Sequence, residues 1–124
     1  MTESWTLDGD GVAVAAADAV ELLRRRIAEV RLETWLKSSA GRSLAVVSNT
    51  ERALVMLLDG DGDSAGHAVD PAARGTSGGF VLGNGQCDAY ADRDTVPLAE
   101  ALRIVRYVLG TGAPPADVVW AADG

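Results

Sequence analysis

After residue 30 the sequence changes its hydrophobic period, and that change limits the folds open to it more than any other feature. Before it, "AADAVELLRRRIAEV" (16–30) reads as a helix, with Val20, Leu23, Ile27 and Val30 at spacings of three and four. Beyond it come short runs at a period near two: "RLETWLKS", "SLAVVSN", "RALVMLLD", "GHAVD", "GFVLG" and "QCDAYAD". They are divided by "AGR", "NTE", "DGDGDS" and the loop "PAARGTSGG". Short strands with tight turns describe an antiparallel meander. "SLAVVS" and "RALVMLLD" are the most continuously apolar, so they belong at the centre of the sheet, and Asn49-Thr50-Glu51 is short enough to join them as a hairpin. Nearer the start, "SWTLDGDGVAVA" reads as two short strands around an Asp8–Gly11 turn.

The helical period returns in "TVPLAEALRIVRYVLGTG" (95–112). Pro97 falls in the first turn, where its missing N–H does no harm. Leu98, Ala101, Leu102, Val105, Val108 and Leu109 form one apolar stripe. Gly110 or Gly112 can end the helix in a left-handed conformation, Pro114-Pro115 forbids continuation, and "DVVW" is a last short strand. The expected fold is α+β, a single domain over 1–124. It has an antiparallel meander sheet of about five or six strands and two helices packed mainly on one face.

Aromatic residues are only 5% of the chain, so its core must be built mostly of Ala, Val and Leu. Cys87 is the only cysteine, which excludes an intrachain disulfide and a cysteine-based zinc site. The opening "MTESWTLDGD" is polar and acidic, unlike a signal or transit peptide, and no apolar run approaches the roughly 18 residues of a membrane span. A soluble cytoplasmic protein with no membrane association is the expectation.

The net charge of −7 is unevenly placed. Residues 1–58 carry 8 acids and 7 bases, and residues 95–124 carry 3 acids and 2 bases, a net of −1 each. Residues 59–94 carry Asp59, Asp61, Asp63, Asp70, Asp88, Asp92 and Asp94 against Arg74 and Arg93, a net of −5. Nucleic acid is disfavoured as a ligand, because phosphate binding needs the opposite sign. A basic partner protein would be steered toward this segment. Arg24, Arg25 and Arg26 fan around the first helix with Glu21 and Glu29 at helical spacing, which reads as a solvated, salt-bridged face.

"DGDGDSAGHAVD" (59–70) invites comparison with a calcium loop. Asp59, Asp61 and Asp63 fit the first three ligand positions, but Ser64 stands where the loop needs glycine, Asp70 replaces the bidentate glutamate, and the flanks read as strand. The loop is a turn first, and no metal or other cofactor is expected. A calcium-binding module would show a stability gain on calcium addition. His67 is the only histidine and lies on a strand with no nucleophile signature around it, and Cys87 in "GQCDAY" reads as a small, partly buried residue. "GTSGGFVLGNG" neither follows a strand nor opens a helix, as a phosphate loop must, and no H-x-E with P-C-x-x-C is present. The chain is not expected to be an enzyme.

"DTVPLAEALRIVRYVLGTGAPPADVVW" (94–120) resembles the closing signature of the first-numbered family of bacterial polymorphic-toxin immunity proteins. The matching positions are Val96, Pro97, Glu100, Ala101, Leu102, Thr111, Gly112, Pro114, Val118 and Trp120. Upstream, "SLAVVSNTERALVMLLD" and the glycine-rich acidic stretch resemble the family's hairpin core, so the likeness covers roughly residues 32–120. The first helix fits only loosely, and Gln86–Tyr90 departs from the pattern where another tryptophan would be expected. The resemblance implies a small cytoplasmic protein that binds and blocks a cognate secreted toxin domain, a nucleic-acid-targeting deaminase or nuclease. A generic adaptor or chaperone for a neighbouring secreted effector is the alternative.

An enzyme that grips nucleic acid presents a basic groove, and an inhibitor can offer carboxylates where phosphates would lie. The candidate partner-binding residues are therefore Asp59, Asp61, Asp63, Asp88, Tyr90 and Asp92. Strand alternation places Asp88, Tyr90 and Asp92 on one face, with Tyr90 as an aromatic anchor. The bland alternative is that they only solubilise an edge strand. An exposed edge would also permit a homodimer.

Overall fold

The computed structural model describes residues 3–7, 11–59 and 64–121. In chain order the elements are β1 (Trp5–Leu7), β2 (Val12–Ala13), α1 (Ala16–Ala28), β3 (Glu33–Ser38), β4 (Ser43–Ser48) and β5 (Arg52–Leu58). They continue with β6 (Ser64–Val69), β7 (Thr76–Val81), β8 (Cys87–Ala91), a single 3-10 turn (Asp92–Asp94), β9 (Val96–Pro97), α2 (Leu98–Thr111) and β10 (Val119–Ala121). The fold is α+β, with every strand pairing antiparallel.

The main sheet runs β10-β6-β5-β4-β3-β1-β2, with β9 added beside the start of β5. β3 to β6 form the expected meander, and Asn49-Thr50-Glu51 closes the β4–β5 hairpin. β4 is the middle strand, and its whole run from Leu44 to Ser48 is buried. A strand covered on both faces needs such a continuous apolar run. Two arrangements differ from a plain meander. β1 inserts beside β3, a pairing between segments some thirty residues apart, with Thr6 opposite Lys37. β7 and β8 leave the main sheet and form a two-stranded ribbon of their own. β7 begins at Thr76, inside the stretch expected to be loop, and β6 begins at Ser64 instead of Gly66.

Leu36, Leu44, Val46, Ala53, Val55 and Leu57 project from one sheet face into a core shared with both helices. From α2 come the buried Ala101, Leu102, Ile104, Val105, Val108 and Leu109, and from α1 Ala19 and Leu23. Pro97 stands just before the first residue of α2, and the Leu98 N–H is satisfied by the Glu51 carbonyl at 2.9 Å. Gly112 closes the helix at φ 83, its N–H bonded to the Val108 carbonyl at 2.7 Å. Arg42 fastens this end: its Nη2 donates to the Gly112 carbonyl at 2.7 Å, and its guanidinium pairs with Glu3 and lies 5.6 Å from the Trp5 ring centroid. The Arg42 hydrogen bond holds the Glu3 carboxyl below the usual carboxylate range.

α1 departs from expectation at two places. Val30 does not extend the apolar stripe; it lies past the helix end at φ 61 and is 70% exposed. That backbone turn lets the Arg31 N–H reach back to the Arg26 carbonyl at 2.8 Å, a helix-stopping geometry normally given to glycine. Arg26 also leaves the solvent face, donating from Nε to Thr34 Oγ1 at 2.9 Å. Among the described residues no ion pair joins Arg24, Arg25 or Arg26 to Glu21 or Glu29, so the expected salt-bridged face does not form. Among the described residues no helix is long and apolar enough to cross a membrane.

Candidate interaction surface

The ribbon is built around the chain's only phenylalanine. Phe80 is 0% exposed yet stands outside the helix-side core. β7 lies against β4, whose Ala45 and Val47 are buried and likewise outside that core. Phe80 therefore anchors the ribbon over the sheet face opposite the helices. Phe80 pairs with Asp88 and Ser77 with Tyr90, so all four side chains share the ribbon face that turns toward the protein. The Phe80 and Tyr90 rings meet edge to face at 4.8 Å.

Asp88 and Tyr90 thus do stand together, but on the half-buried side of the ribbon. The Tyr90 hydroxyl donates to Asp88 Oδ2 at 3.1 Å, and Gln86 Nε2 donates to Asp88 Oδ1 at 2.8 Å. Burial raises the Tyr90 pKa above the usual tyrosine value, helped by the hydrogen bond to Asp88 and by the charges of Asp88 and Glu33. A raised folded-state value means this group's contribution to stability is complete below the unfolded value and is lost as pH climbs through the folded one. A difference titration at 295 nm, wild type minus Tyr90→Phe, is expected to show a midpoint above 10.0. A midpoint at or below that value would contradict the closed Tyr90–Asp88 pair.

Asp92 takes a different role. Its carboxylate accepts the Ser77 hydroxyl, and its carbonyl accepts from Arg52 Nη2 at 3.1 Å and Thr95 Oγ1 at 3.0 Å. It staples the end of β8 to β7 and β5. The hub of this staple is Arg52, which the sequence reading did not mark. Its Nε donates to Thr95 Oγ1 at 2.8 Å, while Nη2 reaches Asp70 Oδ2 at 2.9 Å and the Thr95 carbonyl at 3.1 Å. One signal was available: an arginine opening an otherwise apolar strand needs acceptors near the strand's end.

Asp59 is exposed one residue past β5, whereas Asp61 and Asp63 lie outside the described residues. The structure therefore gives no joint geometry for the three aspartates. Among the described residues no group of three or more His, Cys, Asp or Glu side chains is placed to hold a metal. His67 Nε2 lies 3.1 Å from Asp94 Oδ1, which ties β6 to the 3-10 turn. Cys87 is exposed and not partly buried as expected, because it alternates with Asp88 and points away from the Phe80 side. No known protein-family model matches the chain, and a search of curated proteins finds no match.

Proposed function

We propose that the chain is an immunity protein, binding a cognate secreted toxin domain and blocking its active or substrate-binding site. The observation that carries this reading is the β7–β8 ribbon: an acidic, tyrosine-bearing layer anchored by Phe80 over the helix-free face of the sheet. It falls in the segment of net −5, the sign that complements a groove built for nucleic acid. The resemblance of residues 94–120 to the immunity family adds support. Pro97 precedes α2, Gly112 stops it and Trp120 lies in the last strand, so these positions serve the frame and none of them lies in the ribbon.

The test is growth of a host cell induced to make the toxin domain encoded beside this chain, with and without it. Wild type should restore growth. Asp59→Lys with Asp88→Lys should weaken the rescue and lower affinity by more than about tenfold, since one exposed and one half-buried carboxylate change sign. The Asp88 carboxylate accepts from Tyr90 and Gln86 on the half-buried side of the ribbon, so the melting temperature of the variant is measured first and affinity is compared only if it is folded. A folded wild-type chain that binds the toxin without restoring growth would favour the adaptor reading. No binding and no rescue would remove both.

A further inference from the structure

Among the described residues, the outer edge of β8 carries an unbroken row of unpaired backbone groups. The Asp92 N–H bonds the Gly75 carbonyl at one end of the ribbon, and the Leu82 N–H bonds the Gln86 carbonyl at the other. Residues in an antiparallel pair alternate between exchanging bonds with the partner and pointing their groups away from it. Counted from either end, Asp88 and Tyr90 bond β7, while the N–H and C=O of Cys87, Ala89 and Ala91 point outward. The two counts agree because the register shift falls on β7, between Ser77 and Phe80. Among the described residues no strand pairs with β8 on that side, and Cys87 and Ala89 are exposed.

Among the described residues the other edges are blunted: where β1 leaves the start of β3 unpaired, Arg26 Nη2 donates to the Glu33 carbonyl at 3.3 Å. β2 has two residues and β10 three. The outer edge of β7 is interrupted by its bulge, where Asn49 Nδ2 takes the Gly78 carbonyl at 3.0 Å. Proteins protect edges with short strands, bulges, proline or lysine. β8 has five residues with no bulge, proline or lysine, and its one charge, Asp88, is engaged by Tyr90 and Gln86. The residues whose backbone groups point outward carry only a thiol and two methyl groups, on the ribbon face away from Phe80. They do not crowd a strand added at the roughly 4.8 Å spacing of a sheet.

Charge selects the occupant. A second copy would bring two segments of net −5 together, whereas a lysine- or arginine-bearing strand would meet opposite charge at Asp88. We propose that an extended, net-positive segment of the partner protein adds as a strand to the outer edge of β8. This rests on the reading that the partner is a basic toxin domain. Main-chain bonds supply the affinity, and the neighbouring carboxylates reject segments without basic residues.

The experiment measures affinity for the toxin domain encoded beside the chain, growth rescue, and residue-resolved amide exchange in the complex. Ala89→Pro deletes an outward N–H that β7 does not use, a position where an edge strand tolerates proline. Ala89→Ser keeps that N–H. Ala89→Pro should weaken binding at least about 100-fold and Ala89→Ser less than about threefold, because only the former loses a ladder bond and blocks backbone approach. In the wild-type complex the amides of Cys87, Ala89 and Ala91 should gain protection while those of Asp88 and Tyr90 change little. That period-two pattern needs no variant to fold. Rescue and binding without the alternating protection would overturn strand addition and leave the immunity reading standing. No binding and no rescue by folded wild type would overturn both.

Discussion

Replacing Phe80 with alanine is expected to remove about 3–5 kcal/mol of stability, the usual cost of emptying a fully buried phenylalanine site. For a chain this size that is roughly a 10–20 °C fall in melting temperature, and a large share of the 5–15 kcal/mol that holds a typical domain. The side chain is 0% exposed and belongs to the layer between the ribbon and the main sheet, not to the helix-side core. Leu102 or Val105 truncations would loosen helix packing and leave the ribbon in place. Phe80→Ala should instead release the ribbon first, exposing Ala45, Val47 and the Tyr90 ring. Tyrosine fluorescence and amide exchange of β8 would then change at lower denaturant than the helix signal does. Tyr90→Phe is the control, since it keeps the ring contact and removes only the hydroxyl's bond to Asp88. A loss below about 1 kcal/mol for Phe80→Ala would mean that Phe80 does not anchor the ribbon.

Local patterns in this sequence are legible because local physics produces them. The α2 stripe, its Gly112 stop and the alternation in β3 to β5 each lie within one element or one hairpin. What escapes is set by segments distant in the chain. Nothing in "GFVLG" shows that β7 and β8 leave the main sheet, since alternation fixes which residues share a face and not which strand they pair with. Gly78 and Gly79 also conceal β7, because they lie inside a strand at the bulge yet read as loop. Asp92 looks like a third partner-facing carboxylate by alternation, but β8 ends at Ala91 and the chain turns there, giving Asp92 to Ser77. Arg52 escapes local pattern for the same reason: its acceptors sit 18 to 43 residues further on. Asp88 and Tyr90 share a face in the sequence pattern and in the ribbon because two-residue spacing on a strand is a local rule.

Arg52→Ala is the second large effect, expected to cost about 2–4 kcal/mol. The arginine side chain is 19% exposed and Asp70 28%, so water reaches part of the site and the cost stays below that of a fully buried pair. The ranking of variants carries more information than the size. Asp70→Asn removes one charged acceptor but leaves the carbonyls of Asp92 and Thr95 and the Thr95 hydroxyl engaged, so it should cost less than half as much. Arg52→Lys should recover little, because one ammonium cannot span acceptors that a planar guanidinium reaches from Nε and Nη2 together. Arg52→Met fills the space without charge and should resemble alanine if lost hydrogen bonds dominate, or approach wild type if packing does. Denaturant midpoints for the four variants decide between these. If Arg52→Lys matched wild type, the site would be a simple ion pair with Asp70. If the expected order holds, Arg52 is the link that sets the 3-10 turn against β5, and with it the end of β8 and the start of α2.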